Sequence, residues 1–122
     1  MTVISTKNAP AAIGSYSQGM IVGSFVFCSG QIPVDPATGN IPEGIAAQAE
    51  RSCRNVSAVL EAAGSDLGRV VKTTCFLADM ADFAVFNEVY AKFFTGKPAR
   101  SCCAVRQLPK NVLCEIEAIA EL

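Results

Sequence analysis

The chain of 122 residues contains no histidine and no tryptophan. Without histidine, no Ser-His-Asp or Cys-His arrangement can form within it, and no imidazole is available to ligate a metal. Charge is scarce too: 17% of residues are charged, and ten basic side chains against eleven acidic ones leave a formal charge of −1. No basic run occurs, so the concentrated positive face that nucleic-acid binding requires is not expected. No apolar stretch approaches the roughly 18 residues of a membrane span. No charged start leads into an apolar core and cleavage site. The expectation is a cytoplasmic protein, neither exported nor membrane-spanning.

What the sequence has in quantity is apolar residues, 51% of the total. The length suits one domain over residues 1–122, and a domain of this size buries roughly two-thirds of its unfolded surface. The apolar surplus implies that a second subunit covers part of the surface. Six cysteines, Cys28, Cys53, Cys75, Cys102, Cys103 and Cys114, show neither a C-x-x-C pair nor a zinc pattern. They read as free thiols packed as small hydrophobes in a reducing compartment.

Along the chain there is no repeat or linker. Val3-Ile4-Ser5-Thr6 reads as a short strand, followed by a loop through Gly19. Met20 to Val22 and Phe25 to Cys28 flank Gly23-Ser24, a two-residue hairpin turn. Gly30 to Gly44 carries three prolines and three glycines and reads as loop. Ile45, Ala49, Cys53, Val56, Leu60 and Ala63 recur at steps of three and four, one face of a helix closed by Gly64. Val70 to Ala78 reads as a strand covered on both sides. Asp79 or Asp82 is positioned to cap a second helix carrying Phe83, Phe86, Tyr90 and Phe93, ended by Gly96 and Pro98. Arg100 to Gln107 and Leu113 to Leu122 read as two final strands. The order is β, β, β, α, β, α, β, β, and two helices can shield only one face of such a sheet.

With histidine missing, polar groups at odds with their surroundings become the candidates for chemistry. Arg100 begins an otherwise uncharged strand, sharing one face with Cys102 and Ala104. A guanidinium beside apolar neighbours needs an anion, either an internal acid or an external carboxylate that its fork matches through two hydrogen bonds. Glu115 and Glu117 share one face of the last strand, and Cys114, Ile116, Ala118 and Ala120 the other. A carboxylate on an interface-facing side either pairs with a cation or orients a water for proton transfer. Ser29-Gly30-Gln31 ends a strand where backbone N–H groups could meet an anion. Tyr16 lies in the loop Gly14-Ser15-Tyr16-Ser17-Gln18-Gly19.

Read together, three segments resemble a known family. They are Asn8-Ala9-Pro10-Ala11-Ala12-Ile13-Gly14-Ser15-Tyr16-Ser17-Gln18-Gly19, then Cys28-Ser29-Gly30-Gln31-Ile32-Pro33, and a C-terminal signature. The last comprises Pro98-Ala99-Arg100-Ser101-Cys102, Leu108-Pro109-Lys110 and Glu115-Ile116-Glu117-Ala118-Ile119-Ala120. The family is the Rid or YjgF type, the reactive intermediate deaminases, in its RidA branch. The resemblance implies a chorismate-mutase-like α+β fold, a mixed sheet with two helices on one face, assembled as a homotrimer with three clefts between subunits. It implies hydrolysis of 2-imino and enamine acids such as 2-aminoacrylate to 2-keto acids and ammonia, with small imino and keto acids as the only partners, and with no cofactor or metal. Arg100 would hold the substrate carboxylate and Glu115 would position the attacking water. Ser29, the backbone at Gly30 and Cys102, Tyr16 and Asn87 would line the cleft. Ser15 stands where the family often has proline, and Thr95-Gly96-Lys97 is a shorter connection than in some members. Other readings are a keto-acid-binding regulator without catalysis, an endoribonuclease or translation inhibitor, and a chaperone-like holdase.

Overall fold

The computed structural model describes all residues from Met1 to Leu122. Three strands open the chain: β1 (Thr2–Ile4), β2 (Gly19–Val22) and β3 (Phe25–Gln31). Helix α1 (Ile45–Ala62), strand β4 (Val70–Leu77), helix α2 (Phe83–Phe93) and strands β5 (Ala99–Ala104) and β6 (Cys114–Glu121) follow. The six strands form one sheet in the order β1-β2-β3-β6-β4-β5. Only β4 and β5 pair in parallel; the other neighbours are antiparallel. β6, the last strand, therefore lies between β3 and β4 and ties the two halves together. Its alternation is clean: Cys114, Ile116, Ala118 and Ala120 are buried. This is the expected α+β architecture.

The periodicity of α1 produces its packing. Ala49, Cys53, Val56, Val59 and Leu60 are wholly buried and meet the inward side chains of β3 and β6 in one core with Phe86, Tyr90 and Phe94 of the α2 region. Each of the larger aliphatic and phenylalanine side chains buried here contributes about 1.5–3 kcal/mol. Gly64 ends the helix with φ of 86°, a left-handed backbone that a side chain would strain.

Helix α1 also carries a buried polar stripe, and every member is satisfied. Gln48 accepts from the Leu113 backbone N–H at 2.7 Å and donates to the Pro42 carbonyl at 3.0 Å. Asn55 Nδ2 donates to the carbonyls of Ile32 and Val34 at 3.0 and 2.9 Å. In apolar surroundings these groups are costly to leave unpaired, so they fix the loop that leaves β3.

Several details differ from the sequence reading. Asp79, not Asp82, does the capping, and it closes a single 3₁₀ turn through the Ala81 N–H at 2.8 Å before α2 begins. The strand from Arg100 stops at Ala104, with the Val105 N–H making the last bond of the ladder to the Leu77 carbonyl, and the segment ahead contains a turn with Lys110 and Asn111 at positive φ. Within the chain, β4 is covered on one side only. Thr73, Cys75 and Leu77 are buried beneath the helices, while Lys72, Thr74 and Phe76 remain half-exposed on the other side. Beside them Val22, Phe25 and Phe27 stand in water, with Phe27 45% exposed. No helix is long and apolar enough to cross a membrane.

Candidate active site

Strand alternation divides the candidate residues between the two faces of the sheet. Arg100 lies on edge strand β5, directly opposite Thr73 of β4. Thr73 is fully buried under the helices, and residues paired across a parallel ladder point the same way. Arg100 accordingly reaches α2. Its Nη1 donates to Asn87 Oδ1 at 2.7 Å, and its guanidinium carbon sits 4.7 Å from the Tyr90 ring centre and 5.4 Å from that of Phe83. No acid meets it: the chain's salt bridges are Arg54–Glu50 and Arg69–Asp66. Of the two readings of Arg100, an internal ion pair is thereby set aside.

Cys102 follows on the same side, half-buried against the core. Burial pushes its thiol up, and Arg100 offsets this only in part. Cys28, Cys75 and Cys114 are pushed up to about 12 by burial. These sulfurs are thiols rather than thiolates near neutral pH, which makes them packing groups and poor nucleophiles.

The second cluster is on the helix-free face. Glu115 projects from β6 toward Gly30, so closely that a Cβ on Gly30 would lie 2.9 Å from the carboxyl carbon. The register of β3 explains the approach. Cys28 pairs with Ala118 but Gln31 with Ile116, three steps against two, which is a bulge at Ser29-Gly30. Glycine at the bulge leaves room for the carboxylate. Burial, and next the neighbouring Glu117, raises the Glu115 carboxyl above the ordinary carboxylate range.

Tyr16 stands over this region, 54% exposed, between two hollows. One, of about 540 Å³, is bounded by Tyr16, Phe27, Ser29, Glu117 and Ile119. The other, of about 600 Å³, is bounded by Ile13, Tyr16, Gly30, Pro109 and Lys110. Neither includes Arg100. The loop carrying Tyr16 is held by Gln18, whose Nε2 donates to the carbonyls of Thr6, Ala9 and Pro10. Ser29 Oγ donates to the Ser17 carbonyl.

One chain thus brings together Tyr16, Ser29, Gly30 and Glu115, and separately Asn87, Arg100 and Cys102. The two groups are not brought together. Glu115 pairs with Phe76, which pairs with Cys103, three residues along β5 from Arg100. Two strand spacings and three residues separate the Cα atoms by about 14 Å, with side chains on opposite faces. Sequence reading missed Tyr90, Thr73 and Gln18 as supports of these groups. A tyrosine and a threonine in apolar segments signalled only core.

Residues 6–122 match the family described as endoribonuclease L-PSP. The 2-iminobutanoate/2-iminopropanoate deaminase of Salmonella typhimurium is 56% identical over 121 residues, covering 96% of this chain and 94% of that protein. The crystal structure of Escherichia coli TdcF with bound serine superposes with a TM-score of 0.96 at 50% identity, covering 100% of this chain and 99% of that one. The Escherichia coli YjgF gene product gives a TM-score of 0.96 at 52% identity, covering 99% and 98%. With nearly the whole chain matched at half identity or better, and with the sheet order and helix placement shared, the chain belongs to the endoribonuclease L-PSP family, the YjgF/Rid group.

Proposed function

We propose that the protein is a cofactor-independent hydrolase that converts 2-imino acids and their enamine tautomers, such as 2-aminoacrylate, to 2-keto acids and ammonia in the cytoplasm. The observation that carries this reading is Arg100: a half-buried guanidinium oriented by an amide and two rings and left without an acid of its own. Such a fork binds a carboxylate through two parallel hydrogen bonds. The TdcF structure contains serine, and serine carries the α-carboxylate and α-nitrogen that a 2-imino acid also carries.

The chemistry asks little else. A protonated imine carbon is already electrophilic, so the catalyst must anchor the substrate, place a water and move protons. Water adds to the carbon as Glu115 takes one of its protons. The resulting carbinolamine receives that proton on nitrogen, the C–N bond breaks with its electron pair going to nitrogen, and the hydroxyl proton passes to Glu115 and on to the departing ammonia, leaving the ketone and ammonium. The raised affinity of Glu115 for a proton suits the exchange.

Arg100 and Glu115 lie on opposite faces of the sheet, which supports a site closed between subunits; the family resemblance implies that these form a homotrimer with three clefts. The exposed Val22, Phe25 and Phe27 and the half-covered Phe76 and Ile119 supply apolar surface for that assembly. Tyr16, Ser29, Gly30 and Glu115 of one subunit would then face Asn87, Arg100 and Cys102 of the next. Arg100→Ala is expected to lose roughly ten- to a hundred-fold or more in 2-iminobutanoate hydrolysis, with the oligomer intact by light scattering. Near-normal activity in that variant would overturn the anchoring role.

The family's description also carries a ribonuclease reading. A net charge of −1 with no basic run offers little purchase on phosphates. Salt-sensitive RNA cleavage that survives Arg100→Ala would establish that reading instead.

A further inference from the structure

We infer that Tyr90 is a positioning residue that sets the orientation of the Arg100 fork, with Thr73 holding the tyrosine in turn. The inference rests on the carboxylate-anchoring reading above and deepens it. An arginine on an edge strand ordinarily samples many rotamers, and a fork gives directional binding only when its plane is fixed. Here the plane is set by the flat face of Tyr90 at 4.7 Å and more weakly by Phe83 at 5.4 Å, while Asn87 Oδ1 occupies Nη1. Nε and Nη2 meet no protein acceptor. The free in-plane edge is therefore the one presented to a carboxylate.

The ring is itself held from two sides. It stacks on Phe94 with centres 4.4 Å apart and tilts against Phe86 at 5.9 Å. Its hydroxyl is bonded to Thr73 Oγ1 at 2.7 Å. Thr73 is the direct strand partner of Arg100, so the anchor of the ring and the stem of the guanidinium rise side by side from one parallel ladder. The contacts form a closed circuit: Arg100 to the Tyr90 ring, the Tyr90 hydroxyl to Thr73, and Thr73 back to Arg100 through the sheet. A phenylalanine would fill the same core volume and keep the ring beneath the cation through Phe94 and Phe86, so the hydroxyl bond adds only a smaller restraint on the ring's direction.

The test compares Tyr90→Met, which keeps bulk without a ring face, with Tyr90→Phe, which keeps the ring. Steady-state hydrolysis is measured with a 2-imino acid and with its carboxamide analogue. Tyr90→Met is expected to raise KM for the acid by roughly three- to thirty-fold, the range of a partly desolvated cation–π contact. Its kcat should change less, and KM for the carboxamide should hardly change. Tyr90→Phe should restore KM for the acid to within about threefold of the unsubstituted protein. An unchanged KM in Tyr90→Met overturns the inference, and so does a KM in Tyr90→Phe as poor as in Tyr90→Met. If Tyr90→Met does not fold, Phe83→Leu at the half-buried start of α2 takes its place; a smaller, acid-selective KM rise supports the platform and none overturns it. If the unsubstituted protein hydrolyses no imine, the proposed reaction fails separately. Titration with 2-oxobutanoate then decides the positioning role by whether Kd follows the same order across the variants.

Discussion

The two faces of the sheet are built to different rules. On the covered face, Cys53, Val56, Leu60, Phe86 and Ile116 exclude water completely, and the one cation at its edge, Arg100, is fixed by an amide and two rings. On the open face, phenylalanines stand in solvent, Glu115 and Glu117 sit two residues apart on one strand, and a bulge replaces regular pairing where Glu115 meets Gly30. The covered face is finished within one chain. On the proposed reading, the open face holds half of a reaction centre that a neighbouring subunit completes.

The largest effect is expected from separating Arg100 and Glu115 genetically. Arg100→Ala and Glu115→Gln subunits should each be nearly inactive alone. Unfolded, mixed in equal amounts and refolded together, they should recover about a quarter of the unsubstituted activity, because random assembly places an intact Arg100 opposite an intact Glu115 at that frequency. A mixture no better than its parents would mean that one chain supplies both groups. Next in size is Gly30→Ala. A methyl group there collides with the Glu115 carboxylate, and displacement of a catalytic group by an ångström can lower turnover by roughly a hundredfold. Its thermal midpoint should fall little, since the side chain points to the open face. Activity within a factor of two in that variant would separate Glu115 from the reaction.

The covered face also constrains the open one through Asn55, which binds the carbonyls of Ile32 and Val34 just beyond the bulge. Asn55→Ala leaves both carbonyls without their partner and should lower stability by about 1–3 kcal/mol in denaturant unfolding. No change would show that the loop is held by other means.

Much of this division was legible in the residues. Apolar steps of three and four located α1, Gly23-Ser24 marked the hairpin, and alternation put Glu115 and Glu117 on the side away from the helices. Alternation also grouped Arg100 with Cys102, but it could not say which side of β5 the helices cover, because an edge strand with Ser101, Cys103 and Ala104 has no clearly apolar face. The bulge at Ser29-Gly30 was hidden for a similar reason: it depends on where β6 pairs, some 85 residues further along. Tyr90 and Thr73 were invisible as supports because their significance lies in a contact between a helix and a strand, not in either segment alone. Asp79 and Asp82 were equally good caps on paper, and the 3₁₀ turn between them decided the choice.

A subtler consequence, in pH dependence, comes from the neighbouring Glu115 and Glu117 on the open face. Burial is the larger reason that the Glu115 carboxyl is raised, and Glu117 is the second. The folded chain therefore holds the Glu115 proton to higher pH than the unfolded chain does. That contribution to stability is fully present below the unfolded carboxylate range and is lost as pH rises through the raised value. If the ionised carboxylate takes the proton from water, the acidic limb of the rate profile should lie above the ordinary carboxylate range. Glu117→Gln removes the secondary cause alone, so the limb should move to lower pH without reaching the ordinary value, while activity on the plateau stays nearly unchanged. A limb that does not move would mean that the two carboxylates do not sense each other. A limb that moves all the way would mean that charge, not burial, governs the site, and the view of the open face as a half-closed cleft would have to change.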